Sequence, residues 1–141
     1  MDPITELLNE GDPIIAVVGA TDNPAKYGSV IYRDLKAKGY RVYPVNMTRD
    51  TVDGDLAYPH LVELPVKPDI VNIVVPPQRT LEVLDRAAEL GIDNIWVQPG
   101  AEDHEVMNRL ADGGFEYLAN ACIMVRARTK AVSSSRPPAS D

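Results

Sequence analysis

The chain has 141 residues, of which 45% are hydrophobic and 25% are charged, and its formal net charge at pH 7 is −7. This is the composition of an ordinary globular protein of one-domain size, and its acidic balance argues against nucleic-acid binding, which needs a basic surface. The single cysteine, Cys122, excludes an internal disulfide, the acidic N-terminus lacks the apolar core of a signal peptide, and no apolar run approaches the roughly 18 residues of a membrane span, so we expect a cytoplasmic protein.

The N-terminal residues predict a short helix followed by a strand. Pro3 suits a first helical turn, and Ile4, Leu7 and Leu8 fall on one helical face before Gly11. The next apolar run, "IIAVVGA", is rich in β-branched residues and is typical of a strand buried on both faces of a parallel sheet.

A second helix and a second strand are predicted next. The helix runs from about Tyr27 to Lys38 and ends at Gly39. Its inward face is predicted to carry Val30, Ile31 and Leu35. "RVYPV" predicts the second strand, and the loop-rich segment after it contains a predicted turn or short strand near Asp53-Gly54.

The rest of the chain alternates strands with helices. Three apolar runs predict strands: "DIVNIVVP", "NIWVQPG" and "EYLAN". Between them, "RTLEVLDRAAELG" predicts a helix with Leu81, Leu84 and Ala88 on its inward stripe, and "EDHEVMNRLADGG" predicts another. The Ser/Pro-rich residues 131–141 are predicted to form a disordered tail, so that residues 1–130 form a single domain.

Strands that alternate with helices in this way predict a doubly wound α/β domain, with a mostly parallel sheet and helices on both faces. Such sheets bind ligands outside the carboxyl ends of their strands. The residues that follow each predicted strand are therefore the candidate site, and Gln98, near the end of one strand, is expected to reach the ligand cavity.

The loop after the first strand, "GATDNPAKYGS", has the layout of an anion site. Gly19 permits close backbone approach, and the N–H groups at Gly28 and Ser29 open a helix whose N-terminus carries about half a positive charge. The alternative is a plain turn with Asn23-Pro24 at its corner. The dinucleotide fingerprint is incomplete, because its second and third glycines are missing and Asn46 stands where an acidic residue is wanted. A nicotinamide cofactor is thus disfavoured.

The segments "VVGATDNPAKYGS", "GYRVYPVN", "VPP", "WVQPG" and "NACIMV" together resemble the small, single-domain coenzyme A-binding proteins, over roughly residues 10 to 128. The fold of that family is similar to the N-terminal domain of the succinyl-CoA synthetase α-subunit. The resemblance implies a Rossmann-like domain with coenzyme A lying over the strand carboxyl ends.

The resemblance also implies roles for individual residues. The loop would wrap the pyrophosphate through Gly19, Ala20, Thr21, Asp22, Asn23, Pro24, Lys26, Gly28 and Ser29. The turn after the second strand would lie near the adenosine and its 3′-phosphate through Val45, Asn46 and Arg49. The adenine or the pantetheine arm would be flanked by Val75, Pro76 and Pro77.

The expected function is therefore binding of coenzyme A or an acyl-CoA, without catalysis. Cys122 is interpreted as a small buried side chain rather than a nucleophile. His60 and His104 belong to no cluster with metal-ligand spacing, so neither a metal site nor a catalytic residue is predicted. An NAD(P)-binding Rossmann enzyme, or an interaction domain that has lost its ligand, are the alternatives. The oligomeric state stays open.

Overall fold

The computed structural model describes residues 2–130. They form a parallel sheet with helices on both faces. Within that range the helices and strands are, in order, α1 Pro3–Glu10, β1 Ile14–Val18, α2 Tyr27–Ala37, β2 Arg41–Val45, β3 Thr51–Val52, β4 Asp55–Leu56, β5 Ile70–Ile73, α3 Pro77–Glu89, β6 Asn94–Val97, α4 His104–Asp112, β7 Glu116–Ala119 and α5 Ile123–Arg126. A one-turn 3-10 helix covers Leu61–Glu63.

The five long strands lie in the order β2-β1-β5-β6-β7, and all neighbours are parallel. The last residue of β1, Val18, is in register with Val45 of β2 and with Ile73 of β5. The chain winds in one direction from β1 to β2 and in the other from β5 to β7, so the switch point lies between β1 and β5. This confirms the predicted doubly wound α/β fold, and the switch point is where such folds bind ligands.

Each face of the sheet has its own hydrophobic core, because successive residues of a strand point to opposite faces. Ile15 and Val17 pack in the core beneath α1, α2 and α5, whereas Ala16 and Val18 pack in the core beneath α3 and α4. All four are at most 4% exposed. Because both faces are covered, the strands are nearly continuous apolar runs, which is why the sequence predicts them well.

Two inward-facing predictions are wrong. Val30 is 40% exposed, and Tyr32 is buried in its place. Ala88 is exposed, whereas its neighbour Ala87 is fully buried. Because Tyr32 has a polar hydroxyl, the sequence pattern does not indicate that this residue is buried. In the structure the hydroxyl donates a hydrogen bond to the Asp55 carboxylate at 2.5 Å, while the ring packs in the core.

The predicted turn at Asp53-Gly54 is confirmed as the tip of a small antiparallel hairpin, β3–β4. Both turn residues have positive φ, at 51° and 80°, as a tight two-residue hairpin turn requires.

The C-terminal part of the described chain packs on the helices of the α1/α2 face. Trp96 Nε1 donates to the Ala121 carbonyl at 2.9 Å, which holds the loop before α5. Further along, the Tyr40 hydroxyl donates to the Arg128 carbonyl at 2.7 Å. Helix α5 has four residues and is absent from the predicted elements, because one turn is too short to show helical periodicity. The predicted disordered tail, 131–141, lies outside the described residues.

Candidate functional site

The start of α2 lies directly on the end of β1, and two glycines make this contact possible. Gly19 has a φ of +103°, and a Cβ added to it would lie 2.9 Å from the Val74 side chain and 3.0 Å from that of Val75. A Cβ on Gly28 would lie 1.9 Å from the Gly19 carbonyl oxygen. Only glycine fits at position 28, so the helix N-terminus is held against the carboxyl edge of the sheet at the switch point.

Several donors gather at this helix start. The backbone N–H groups of Tyr27 and Gly28 have no hydrogen-bond partner among residues 2–130. The Ser29 hydroxyl, in the first turn of α2, is fully buried and likewise has no partner in that range. Lys26 precedes the helix, is exposed, and has no side-chain hydrogen bond at the cap. These groups, together with the helix dipole, suit a negatively charged ligand.

The loop between β1 and α2 is shaped by its own side chains. The Thr21 hydroxyl accepts the Asn23 N–H at 3.2 Å, and the Asn23 carbonyl oxygen Oδ1 accepts the Ala25 N–H at 3.0 Å. Such local bonds fix a turn without help from regular structure. Thr21 and Asn23 therefore hold the loop in shape through their side chains, with Pro24 at its exposed corner.

Asn46, just after β2, joins two loops at the carboxyl edge. Its Nδ2 donates to the Ala20 carbonyl at 2.8 Å. Its Oδ1 accepts the N–H groups of Thr48 at 2.8 Å and of Arg49 at 3.1 Å. An acidic residue here would have no N–H group to donate to the Ala20 carbonyl. This bond explains why an amide occupies the position at which a dinucleotide-binding protein carries an acid.

Asp22 and Arg49 face each other beside the hairpin. The Arg49 guanidinium lies 3.9 Å from the Asp22 carboxylate, and the same carboxylate accepts the Asp53 N–H at 2.7 Å. Both ends of the ion pair are at least 40% exposed, so the pair contributes little to stability. Its effect is to bring Arg49, the cation of the turn after β2, next to the loop that follows β1.

A buried hydroxyl and an ion-pair cluster hold the hairpin on α2. Lys36 lies 2.9 Å from the Asp55 carboxylate and 3.1 Å from that of Asp53. Burial, the hydrogen bond to Asp55 and the nearby carboxylates raise the pKa of Tyr32 far above its ordinary value. Burial alone would raise the pKa of Asp55, but the bonds from Tyr32 and Lys36 outweigh it and lower that pKa. The hydrogen bond to Asp55, opposed by burial and aided by Asp53, raises the pKa of Lys36.

The strand ends on the other side of the switch point hold the remaining predicted residues. Val75 is 5% exposed, Pro76 caps α3 and Pro77 is its first residue. Gln98 is 3% exposed, and its Oε1 accepts the Ile123 N–H at 2.8 Å, which fixes the start of α5. The predicted site residues thus all lie at the carboxyl edge, but the oxygen of Gln98 is used within the protein.

Sequence reasoning missed a cleft on the α3 side of the same edge. Val18 and Val45, both 4% exposed, lie at its floor, and Asn46 is on its wall. Arg79 and Arg86 of α3 also line the cleft. Both arginines are exposed on α3, and the sequence pattern of this face is that of an ordinary solvated helix. The only sequence feature that could have indicated the cleft is their spacing of seven residues, which places them on one side of α3.

Neither a metal cluster nor a membrane-spanning helix is found among residues 2–130. No group of three or more His, Cys, Asp or Glu side chains in that range has the arrangement of a metal site. None of the helices in the described part of the chain is both long and apolar enough to span a membrane.

Comparison with known proteins identifies the family. The sequence model of a family described as "CoA binding domain" matches residues 14–128. Over 84 residues the chain is 37% identical to the α-subunit of ADP-forming acetate–CoA ligase II of Pyrococcus furiosus, and the match covers 59% of this chain but 18% of that subunit. The uncharacterised Bacillus subtilis protein YneT is 30% identical over 111 residues, which cover 79% of this chain and 82% of YneT.

The fold is also found among solved structures. A conserved hypothetical protein from Pyrococcus furiosus superposes with a TM-score of 0.77 at 45% sequence identity. The match covers 80% of this chain and 97% of that protein. A small protein that the match covers almost completely therefore shares the fold and much of the sequence of this chain.

Proposed function

The chain belongs to the CoA binding domain family, and on that premise we propose that it binds coenzyme A or an acyl-CoA at the carboxyl edge of the sheet, without catalysing a reaction of its own. The contact between Gly28 and Gly19 carries the proposal, because it brings the N-terminus of α2 to the switch point. Coenzyme A carries a diphosphate between its nucleoside and its pantetheine arm, and a helix N-terminus is suited to bind that group.

The donors at the start of α2 support a diphosphate ligand. The N–H groups of Tyr27 and Gly28 and the buried Ser29 hydroxyl are without partners among residues 2–130. A buried hydroxyl without a partner is costly, and a ligand oxygen within reach would remove that cost. Lys26 and Arg49 supply positive charge on two sides of the loop.

The bonds of Asn46 argue against a nicotinamide dinucleotide. Proteins that bind NAD use an acid after the second strand to accept the ribose 2′-hydroxyl. Here Asn46 Oδ1 already accepts two backbone N–H groups, so it is not available for that contact. Coenzyme A carries a phosphate on its ribose, and proteins bind such a phosphate with cationic side chains rather than with an acidic one.

The proposal is for binding rather than catalysis. The side chains of Asn46, Asp22 and Gln98 lie at the candidate site and are all engaged by backbone N–H groups of the protein itself. Such side chains position a loop and are poorly placed to transfer a proton. Ligase activity does not follow from the similarity to the acetate–CoA ligase, because the chain spans 18% of that subunit.

Cys122 bears on where the protein works. It is a free, half-buried thiol in the loop before α5. A free thiol persists in a reducing compartment, and we therefore propose the cytoplasm.

Native mass spectrometry of the protein purified without added ligand tests this function. We expect a mass increment equal to coenzyme A or an acyl-CoA, which is lost on denaturation. An increment that survives denaturation but disappears with a reductant would mean a disulfide between coenzyme A and Cys122. A dinucleotide in its place, or no increment even after incubation with coenzyme A, would contradict the proposal.

A further inference from the structure

The side-chain amide of Asn72 is buried in the core and has no hydrogen-bond partner among residues 2–130. Asn72 is the third residue of β5, the central strand of the sheet, and its exposed fraction is 0%. Both Oδ1 and Nδ2 are without a partner. In water both atoms form hydrogen bonds, so burial that does not replace these bonds destabilises the fold. Native proteins rarely leave such a group unpaired, and Asn72 therefore needs an explanation.

The residues next to Asn72 on the sheet cannot supply the missing bonds through their side chains. Asn72 is in register with Val17 of β1 and with Trp96 of β6, and its neighbours on the same face of β5 are Ile70 and Val74. Of these four side chains only that of Trp96 is a donor, and its Nε1 is already bonded to a backbone carbonyl. No other side chain at these positions can pair with the amide.

The backbone of the neighbouring strands offers no donor either. The strands β1, β5 and β6 each have a hydrogen-bonded neighbour on both sides, so their N–H groups are used in the parallel ladders. The face of the sheet that Asn72 shares with Val17 and Trp96 is otherwise packed with the apolar side chains of the core beneath α1, α2 and α5. The partner of the amide is therefore expected to come from outside the protein chain.

A water molecule has the chemistry that this amide requires. A primary amide carries an acceptor oxygen beside an N–H donor, so one water molecule donates to Oδ1 and accepts from Nδ2 in a single ring. A buried water makes about three hydrogen bonds on average, and Asn72 supplies two of them. A larger ligand does not fit this position, since both atoms of the amide are closed off from solvent.

We propose that Asn72 holds one buried water molecule between the central strand and the layer formed by α1, α2 and α5. The water replaces the hydrogen bonds that the amide loses on folding, and it is a fixed part of the fold, one residue before the carboxyl end of β5. The site does not depend on the proposed function, because the amide is closed off from the carboxyl edge where the ligand is proposed to bind.

A high-resolution crystal structure of the wild-type protein tests this site directly. We expect one ordered water oxygen within about 3.2 Å of both Oδ1 and Nδ2 of Asn72. An amide that contacts only apolar atoms would overturn the proposal, and so would an amide that is bonded to a protein group or to a ligand atom.

Oxygen-17 magnetic relaxation dispersion tests the same site in solution, because it counts the water molecules that stay bound for longer than the protein takes to tumble. Asn72→Leu replaces the amide with an apolar group of similar size and should lose one such water relative to the wild type. Ile70→Leu is the matched control, since Ile70 is also fully buried on this face of β5, and it should lose none.

Two results of this measurement would contradict the proposal. The first is an unchanged count in an Asn72→Leu protein with native circular dichroism, and the second is an equal loss in Ile70→Leu. If Asn72→Leu does not fold, the crystal structure of the wild type decides by itself.

Discussion

The Asn46 side chain donates a hydrogen bond to the Ala20 carbonyl oxygen across 2.8 Å, and so ties the loop after β2 to the loop after β1. The other side of the same amide accepts the N–H groups of Thr48 and Arg49. One neutral side chain thus holds together two loops that approach the proposed ligand from different strands. Neither an acid nor an aliphatic residue provides both a donor and an acceptor in this space.

Replacement of Asn46 tests this role. Asn46→Asp keeps the acceptor, loses the donor to Ala20 and places a negative charge beside the proposed diphosphate. We expect the free energy of unfolding to fall by about 1–3 kcal/mol and the affinity for coenzyme A to fall at least about tenfold, measured by urea denaturation and calorimetry.

Asn94→Asp is the matched control. Asn94 Nδ2 also donates to a backbone carbonyl, that of Asp69, at 3.1 Å. Asn94 is the first residue of β6 and so lies at the amino ends of the strands, whereas the site lies at their carboxyl ends. This variant should bind coenzyme A like the wild type. Equal affinities of Asn46→Asp and Asn94→Asp would show that Asn46 does not position the site.

Gly28→Ala tests the contact between α2 and β1. The added Cβ would lie 1.9 Å from the Gly19 carbonyl oxygen, so the helix start must move away from the strand. Overpacking of this kind costs about 1–3 kcal/mol of unfolding free energy, and because the amides move with the helix, coenzyme A affinity should fall as well.

A second glycine separates stability from binding in that experiment. Gly114 has a φ of +75°, and a Cβ added there would meet no atom within 4 Å. This glycine precedes β7 and so lies at the amino ends of the strands, whereas the site lies at their carboxyl ends. Gly114→Ala should cost roughly 1–2 kcal/mol of backbone strain and leave the affinity for coenzyme A intact. If Gly28→Ala is as destabilised as Gly114→Ala and binds equally well, the helix start is not the ligand site.

The hairpin anchor should make stability depend on pH. The hydrogen bonds from Tyr32 and Lys36 outweigh the effect of burial and lower the pKa of Asp55. A carboxyl whose pKa is lower in the folded than in the unfolded chain stabilises the fold above the unfolded pKa, and that contribution is lost as the pH falls through the folded pKa. The free energy of unfolding should therefore decrease on acidification below about pH 4.

Asp55→Asn should remove part of this acid dependence. Another part should remain, because hydrogen bonds to Thr5 outweigh burial and lower the pKa of Asp2 at the start of α1 as well. Urea denaturation at several pH values between about 5 and 3 measures the slope. An unchanged slope in Asp55→Asn would contradict the assigned role of the Tyr32–Asp55 bond.

Lys130 should stabilise the fold without affecting the ligand. Its Nζ donates to the carbonyls of Leu8 at 2.8 Å and Gly11 at 2.7 Å, and it lies 4.7 Å from the centre of the Tyr40 ring. A cation that binds the last carbonyls of a helix compensates its dipole. Lys130→Met keeps the apolar stem and should cost about 1–2 kcal/mol in thermal or urea unfolding.

Lys67→Met is the control for that loss. Lys67 is exposed, and its side chain has no hydrogen-bond or ion-pair partner within residues 2–130. The control should unfold like the wild type. If Lys130→Met and Lys67→Met are equally stable, the capping by Lys130 contributes nothing.

The order of helices and strands follows from the sequence because its main signals are local. Parallel strands buried on both faces are apolar runs, and the glycines that end helices are needed there, as Gly39 is with its φ of +95°. The inward faces are predicted less well. Tyr32 is buried because its hydroxyl has a partner 23 residues away in the sequence, at Asp55, and no periodic pattern shows such a partner.

The site follows from the sequence only in part, for the same reason. The sequence pattern of the loop draws attention to Gly19 and Gly28. Their close contact involves only the short segment of chain between them. The cleft beside α3 has no such local signal, since Val18, Val45 and Arg79 come from three segments that only the fold brings together. Likewise, the strand pattern predicts that Gln98 faces the ligand, whereas its oxygen binds the Ile123 amide, 25 residues further along the chain.

Calorimetric titration of the wild-type protein, first stripped of any copurified ligand by partial unfolding and refolding, tests the central claim most directly. We expect one coenzyme A to bind per chain, with ADP binding more weakly and NAD giving no heat. At a hundredfold excess over its dissociation constant, coenzyme A should also raise the free energy of unfolding by about 2.7 kcal/mol. A refolded protein with native circular dichroism that gives no heat and no stabilisation with coenzyme A, or that prefers NAD, would contradict the account.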